Sequence, residues 1–425
     1  MDKENKIKIV YVPTDSLHGN PINPRYWSDE ATKKLTKSIQ RFNITEPLLV
    51  NCYSERKNQI ISGHFRWTIA KKLDIKIVPV IFLNIQSAKK EQELLLRMNA
   101  NQGAWDKNLF EPFDLNMLLD VFSSEDLSNI WDENLEVEDD DFQIEKEIEK
   151  ARETDIKPGD MFSLGGQHKL YCADSTKLET IKKIAGKSKA NIINNDIPFN
   201  IGLPYSAGIS GKRNYGGNTN DKKTYQEYRL FVKSLLENGL SVCHEDCHVF
   251  MWLDEKYIGM MQELYKELEV TQKRLCFWIK GNQNPTPQVA FNKTTELCLY
   301  GTRGAPFLSY KIKNLNEVLN KEMSTGNRLI EDILDMLDIW LVKRLPTNQY
   351  EHPTEKPPSL YEKSIRRCSK PGEIILDMTA GSGSLMMACE QLKRTAYLVE
   401  IEPIFCQVII NRYEKISDKK AERIN

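Results

Sequence analysis

The sequence predicts an α/β protein of two bodies, a small N-terminal α/β domain and a larger doubly wound, mostly parallel sheet, with an acidic stretch between them. Three observations predict it. Short apolar segments alternate with helical patterns in both halves of the chain. In the second half several of these segments end in glycine-rich or acidic turns, as strands do where an open α/β sheet binds its ligand. Charge is also partitioned: the net −1 hides roughly +7 over residues 1–100, −13 over 101–150 and +5 beyond. A length of 425 residues exceeds one ordinary core at roughly 100 to 200 residues per domain.

In chain order, Lys8–Val12, Pro47–Val50 and Ile77–Phe82 read as short buried strands, alternating with helical patterns at Asp29–Arg41 and Phe65–Leu73. Leu94, Leu95 and Met98, then Leu109, Phe113, Leu115 and Leu118, carry helical spacing, so the first domain with its trailing helices is placed at 5–122. The run from Trp131 to Asp141 has few large apolar residues and repels itself, which predicts a solvated, poorly packed linker over 123–154. Beyond it, strand candidates recur at Ala190–Asn194, His248–Trp252, Arg274–Ile279, Glu296–Tyr300, Ile374–Leu376 and Ala396–Glu400. Helical patterns at Tyr225–Leu236 and Leu385–Leu392 separate some of them. This second domain is placed at 155–417. The glycine-rich run Ala207–Gly217 has neither periodicity and offers Lys212 and Arg213 to phosphates.

No apolar run approaches the roughly 18 residues of a membrane span, and the charged N-terminus argues against a signal peptide. Nine cysteines, an odd number without a repeated C-x-x-C framework, fit reduced thiols. A soluble cytoplasmic protein is expected. The cluster Cys243-His-Glu-Asp-Cys-His248 contains metal-ligand types, but it straddles a helix end and an alternating strand that point them apart, so no metal site is expected.

Two turns carry the chemistry. Ile374–Ser384 leaves a buried strand through Asp377 and enters a helix by Gly381-Ser382-Gly383, where backbone can approach a ligand closely. A second strand then ends in Glu400, suited to ribose hydroxyls. The third glycine of a dinucleotide fingerprint is absent, since position 386 is Met386. The other turn, Asp196-Ile197-Pro198-Phe199, joins a carboxylate, a neighbouring carbonyl and an aromatic face. Those groups can accept both protons of an exocyclic amine and stack on its base, although Phe199 is equally a core residue by sequence.

The ordered set Lys157–Ser175, Asp196–Asn200, Asn220–Lys222, His352–Pro357 and Asp377–Gly383 resembles amino-group DNA methyltransferases of the β class, over about residues 155–417. The resemblance implies a Rossmann-like, S-adenosylmethionine-dependent fold and transfer of a methyl group to an exocyclic amine of a flipped base in double-stranded DNA. The amine would be N6 of adenine rather than N4 of cytosine, because the motif begins with Asp196. It also implies that Gly381 and Gly383 lie against the methionine part, Asp377 beside them, Glu400 on the ribose, Asp174 near the adenine, and Thr354 and Lys356 at the carboxylate end. Restriction-modification is the setting this family suggests. Two motifs depart from its pattern: Asp196-Ile197-Pro198-Phe199 stands for Asp-Pro-Pro-Tyr, with Ile197 in place of the first proline, and Asp377-Met378-Thr379 for Asp-Pro-Phe, with Thr379 in place of the aromatic residue before the glycines.

Asn23-Pro-Arg25, Pro47–Val50, Ile60–Trp67 and Val78–Val80 resemble the ParB/sulfiredoxin-type domain, whose Gly-x-x-Arg turn binds phosphate or nucleotide. Gly63 and Arg66, with Arg25, would make those contacts; the sulfiredoxin cysteine is missing from this turn. The rival expectation is a DNA-binding or partition-type protein whose methyltransferase fold has lost catalysis, motivated by Ile197 and Thr379. Nuclease action lacks a metal-carboxylate cluster in residues 1–110. Residues about 281–350, with Lys311, Lys313, Arg328, Lys343 and Arg344, are the expected recognition region, and a homodimer is left open.

Overall fold

The computed structural model describes residues 7–23, 25–27, 29–99, 104–105, 113, 115–131, 135–202, 222–284, 293–309, 337–342 and 356–424. It divides into two compact units, residues 1–134 and 135–425. Lys212, Arg213, Thr354 and the five basic residues of the expected recognition region lie outside the described residues.

The first unit contains β1 (Ile9–Pro13), β2 (Arg25–Tyr26), α1 (Asp29–Phe42), β3 (Leu48–Asn51), β4 (Gln59–Ser62), α2 (His64–Lys72), β5 (Ile77–Leu83), α3 (Ala88–Asn99), β6 (Ala104–Trp105), α4 (Leu115–Val121) and α5 (Ser124–Trp131). Its sheet runs β1-β5-β3-β4, with β3 parallel to β5, and β2 pairs separately with β6. Leu48, Val50, Ile60, Val78 and Val80 close its core, as the apolar alternation anticipates.

The second unit contains α6 (Ile144–Ala151), β7 (Met161–Leu164), β8 (His168–Cys172), α7 (Leu178–Ala185), β9 (Ala190–Asp196), α8 (Tyr225–Ser241), β10 (Cys243–Leu253), α9 (Ile258–Glu267), β11 (Thr271–Asn284), β12 (Lys293–Arg303), β13 (Ile339–Trp340), α10 (Ser359–Cys368), β14 (Ile374–Asp377), α11 (Ser384–Gln391), β15 (Thr395–Glu400), α12 (Pro403–Ser417) and β16 (Ala421–Ile424). Ten described strands form one sheet in the order β13-β11-β12-β10-β9-β14-β15-β8-β7-β16. The central five, β10-β9-β14-β15-β8, are parallel and heavily buried; the outer pairs β10–β12, β11–β12, β7–β8 and β7–β16 are antiparallel. Helices α7, α8 and α9 cover one face, and α10, α11 and α12 the other. The β9–α8–β10 and β14–α11–β15 crossovers therefore leave adjacent strands toward opposite faces, which opens a crevice at the carboxyl ends of β9 and β14.

One sequence expectation changes here. The acidic stretch is not solvated chain over 135–151. Val137 joins the main core, and Phe142, Ile144, Ile148 and Ala151 pack on Phe405 and Val408 of α12. Asp139 and Asp140 face a serine N–H and an arginine instead of each other, which removes part of the self-repulsion on which the expectation rested. Within 281–350, residues 293–303 are β12, a strand of the sheet between β10 and β11. The cysteine–histidine cluster lies in β10, where His248 Nδ1 meets the Tyr300 hydroxyl at 3.0 Å and Nε2 the Phe307 carbonyl at 2.7 Å. Burial holds that imidazole down at about 4.

Candidate active site

Four neighbouring parallel strands each deliver an acidic residue to one edge of the sheet. Asp174 follows β8, Glu400 ends β15, Asp377 ends β14 and Asp196 ends β9. All four line a cavity of about 440 Å³, which also touches Phe199, Gly381 and Lys356. The carboxyls differ in their surroundings, and that separates their tasks.

Glu400 is buried, with Oε2 accepting from the Gly381 N–H at 2.8 Å and Oε1 from the Glu402 N–H at 2.9 Å. Burial pushes its carboxyl up to about 7, the two N–H bonds pulling the other way. A vicinal diol would give each oxygen a second donor where water is excluded. Gly381 and Gly383 both sit at positive φ, +53° and +78°. A Cβ on Gly383 would press on Ile409 at 3.1 Å, whereas one on Gly381 would enter open space, so the turn keeps room for a ligand at Gly381. Asp377 accepts from the Thr379 N–H at 3.0 Å, and burial raises its carboxyl to about 8. Asp174 ties its own turn by accepting from Thr176 N–H and Oγ1, at 3.0 and 2.7 Å. This donor and acceptor set fits a nucleoside-bearing cofactor.

Asp196 stands apart because it meets a cation. The buried Lys356 Nζ lies 2.6 Å from Asp196 Oδ1 and 3.1 Å from Glu296 Oε2, and Lys280 closes on the same Glu296. Burial pushes the Asp196 carboxyl up and the Lys356 ammonium pulls against it. Burial would likewise raise Glu296, but Lys356 and Lys280 hold it at about 2. Lys356 thus stays charged between two carboxylates, 5.0 Å from the Phe199 ring centroid. Its ammonium points at these carboxylates, whereas the family resemblance implied the carboxylate end of a cofactor.

The turn after Asp196 is held from several sides. Thr379 Oγ1 donates to the Asp196 carbonyl at 3.0 Å, and the Tyr228 hydroxyl to the Pro198 carbonyl at 2.6 Å. Asn200, at φ +56°, donates to Tyr257 Oη at 2.8 Å. Ile197 is 1% exposed and belongs to the core, whereas Phe199 is only partly buried and lines the cavity. The core residue of this motif is Ile197, and the aromatic face is the available one.

In the first unit, Gly63 takes φ +96° as the N-cap of α2, where a Cβ would meet Leu48 at 2.4 Å. Arg66 is ion-paired with Glu46 across this turn, and burial lowers its guanidinium from its ordinary value. His64 beside it, held at about 4 by burial, accepts from the Asn20 N–H at 3.0 Å. Arg25 lies in β2, opposite Trp105 of β6.

Sequence reading missed Glu296 and Lys280. A glutamate at the head of an otherwise apolar strand, Glu296–Tyr300, is the signal that could have found the first.

Residues 190–412, more than half of the protein, match the DNA methylase family. The chain belongs to this family. As a DNA methylase it is an S-adenosylmethionine-dependent DNA methyltransferase, and its residues 1–101 match the ParB N-terminal domain. The type II methyltransferase M.HpaI of Haemophilus parainfluenzae is 22% identical over 247 residues, covering 58% of this chain and 74% of that protein. The ParB-like nuclease domain-containing protein YnaK of Escherichia coli (strain K12) is 37% identical over 87 residues, covering 20% of this chain and 95% of that protein. The crystal structure of the M1.HpyAVI–SAM complex aligns with a TM-score of 0.41 and 21% identity, covering 57% of this chain and 97% of that one. Among the described residues no helix is long and apolar enough to cross a membrane.

Proposed function

We propose that this DNA methylase acts on N6 of adenine in double-stranded DNA, with the target base rotated into the cavity beside Phe199. The observation that carries this reading is the placement of Asp196 and the half-buried Phe199 on the same cavity as the Gly381–Glu400 cradle. Asp196 Oδ and the Ile197 carbonyl accept the two amine protons and turn the nitrogen lone pair toward the cradle, a positioning effect. The Phe199 ring stacks on the base and offsets the few kcal/mol of unstacking. S-adenosylmethionine supplies the electrophilic methyl group. Gly381 and Gly383 leave room for its methionine part, Glu400 accepts from its ribose hydroxyls, and Asp174 and Asp377 border its base and its turn. Once the methyl group is on the amine, the nearest proton acceptor is the Asp196 carboxylate, which Lys356 keeps oriented.

The ParB-like unit adds affinity through phosphate, with Gly63, Arg66 and Arg25 as the contact residues. An anion there competes with Glu46 for Arg66. Nucleoside analysis of methylated DNA separates the two target amines. N6-methyladenine produced by the wild type and lost in Asp196→Ala supports the proposal, and N4-methylcytosine as the product overturns the choice of base.

A further inference from the structure

The acidic stretch 135–151 was left without a role by the sequence reading, yet its side chains reach the cofactor turn. Asp140 makes a bidentate pair with the buried Arg412 of α12, Oδ2 to Nε at 2.8 Å and Oδ1 to Nη2 at 2.9 Å. The same guanidinium donates from Nη1 to the Ser382 carbonyl at 3.1 Å and to Ser384 Oγ at 3.1 Å. Ser382 is the residue between Gly381 and Gly383, and Ser384 opens α11. One arginine therefore holds the glycine turn from behind. The fork geometry of guanidinium lets two N–H groups meet the carboxylate in one plane while a third reaches the turn, a match that the single nitrogen of an ammonium does not give.

The neighbouring residues fix Asp140 in place. Asp139 accepts from the Ser359 N–H and hydroxyl at the start of α10, both at 2.9 Å. Glu138 and Gln391 exchange two bonds, at 2.7 and 3.0 Å. Two residues after Phe142, Ile144 turns inward and lines the cavity together with Phe405. Glycines at 381 and 383 give the turn conformational freedom that must be lost when a ligand is gripped, and the arginine removes it beforehand.

We propose that Asp140 and Arg412 are positioning residues for S-adenosylmethionine, and that residues 135–151 are a working part of the cofactor site of this methyltransferase. Asp140 acts through Arg412 on the Gly381–Gly383 turn, and Ile144 supplies part of the wall. The inference rests on the assignment of that turn to the cofactor. Binding energy gained this way appears in cofactor affinity and not in the methyl-transfer step.

The test uses the full chain and calorimetric binding of S-adenosylmethionine without DNA, followed by kinetics. Asp140→Asn should raise the cofactor dissociation constant about tenfold, the loss of a charge-assisted pair. It should raise the KM for cofactor likewise and leave kcat at saturating cofactor and the KM for DNA within about twofold. Arg412→Lys should fail to restore affinity, while Asp140→Glu should restore part of it. If Asp140→Asn does not fold, Asp140→Leu combined with Arg412→Met removes both charges at once and is expected to fold with the same weakened binding. Cofactor affinity within twofold of wild type in either folded variant overturns the proposal. Glu400→Gln, measured alongside, separates the two levels: weakened binding there with none in Asp140→Asn defeats only this inference, and unchanged binding in both defeats the cofactor assignment as well.

Discussion

Cofactor affinity should depend on pH through Glu400, and the size of the effect follows from its surroundings. Burial lifts its carboxyl to about 7, above the ordinary value of about 4.3. Ribose hydroxyls need the ionised form as acceptor, so protonation as pH falls through 7 withdraws the site. The apparent dissociation constant scales as 1 + 10^(7 − pH), which makes binding about tenfold weaker at pH 6 than at pH 8, or about 1.4 kcal/mol. Calorimetric titration at half-unit steps between those limits reads it directly. The ligand's own α-amino group, near 7.7 to 8.0, and Asp377, at about 8, titrate in the same window. Glu400→Gln is therefore the control: it keeps one acceptor, has no proton to gain, and leaves the other two groups in place. Its profile should be flatter than wild type by that tenfold. Superimposable profiles would refute the role given to Glu400. Without cofactor the sign reverses. Between about 4.3 and 7 the folded chain holds a proton that the unfolded chain releases, so stability should fall as pH rises through that window, and cofactor should recover it near pH 8.

Other perturbations test the rest of the site. Asp196→Ala should lower kcat by at least a hundredfold while cofactor binding survives, and turnover within tenfold of wild type, near 1.4 kcal/mol, would remove it from the transition state. Lys356→Met leaves the partly buried Asp196 and Glu296 without their shared cation and should cost on the order of 1 to 3 kcal/mol in urea unfolding, with Lys356→Arg a poor substitute. Ile197→Pro, which would match the family's usual turn, removes a fully buried branched side chain and should destabilise by about 1 to 2 kcal/mol; a rise in stability would contradict that packing. Arg66→Ala should weaken binding to all DNA sequences alike and reduce the log-log salt slope by about 0.9, measured by fluorescence anisotropy across a salt series.

The parts of this molecule that were legible in its sequence are those where one physical demand dominates a short segment. Central parallel strands are buried on both faces, so Ala190–Asn194 and Ala396–Glu400 declare themselves as apolar runs and appear within β9 and β15. The turn at Asp377–Gly383 declares itself because glycine and a strand-ending carboxylate have few other uses together, and the Asp196–Phe199 turn is legible only as one member of an ordered set of motifs. What stayed hidden depends on distance along the chain. A run of aspartates predicts repulsion if each is counted against its neighbours, but Asp139 meets Ser359 and Asp140 meets Arg412, more than 200 residues away in sequence. The hairpin β7–β8 and the edge strands β13 and β16 were equally invisible, being short and identified mainly by partners. Lys356 was found as part of a motif, yet only the fold brings it between carboxylates carried by β9 and β12.

The two departures from the family pattern acquire a common meaning once their contacts are considered together. A proline at 197 would narrow φ by its ring, and an aromatic residue at 379 would brace the turn by packing. In this chain Ile197 gains its order by burial, at 1% exposure within the core beneath α8. Thr379 is bonded at both ends: its N–H reaches Asp377 and its hydroxyl reaches the Asp196 carbonyl. The hydroxyl therefore joins the end of β14 to the end of β9, the two strands between which the crevice opens. The phenylalanine that the family usually has at 379 has no donor with which to do this. Asn195 Oδ1 on the Met378 N–H at 2.9 Å adds a second link between the same strand ends, and Tyr228 of α8 holds Pro198 from the helix side. Ring rigidity in one motif is thus replaced by side-chain packing, and ring packing in the other by a hydrogen bond. The Thr379 bond ties the Asp196 loop to the glycine turn, the coupling that methyl transfer between the two proposed half-sites requires.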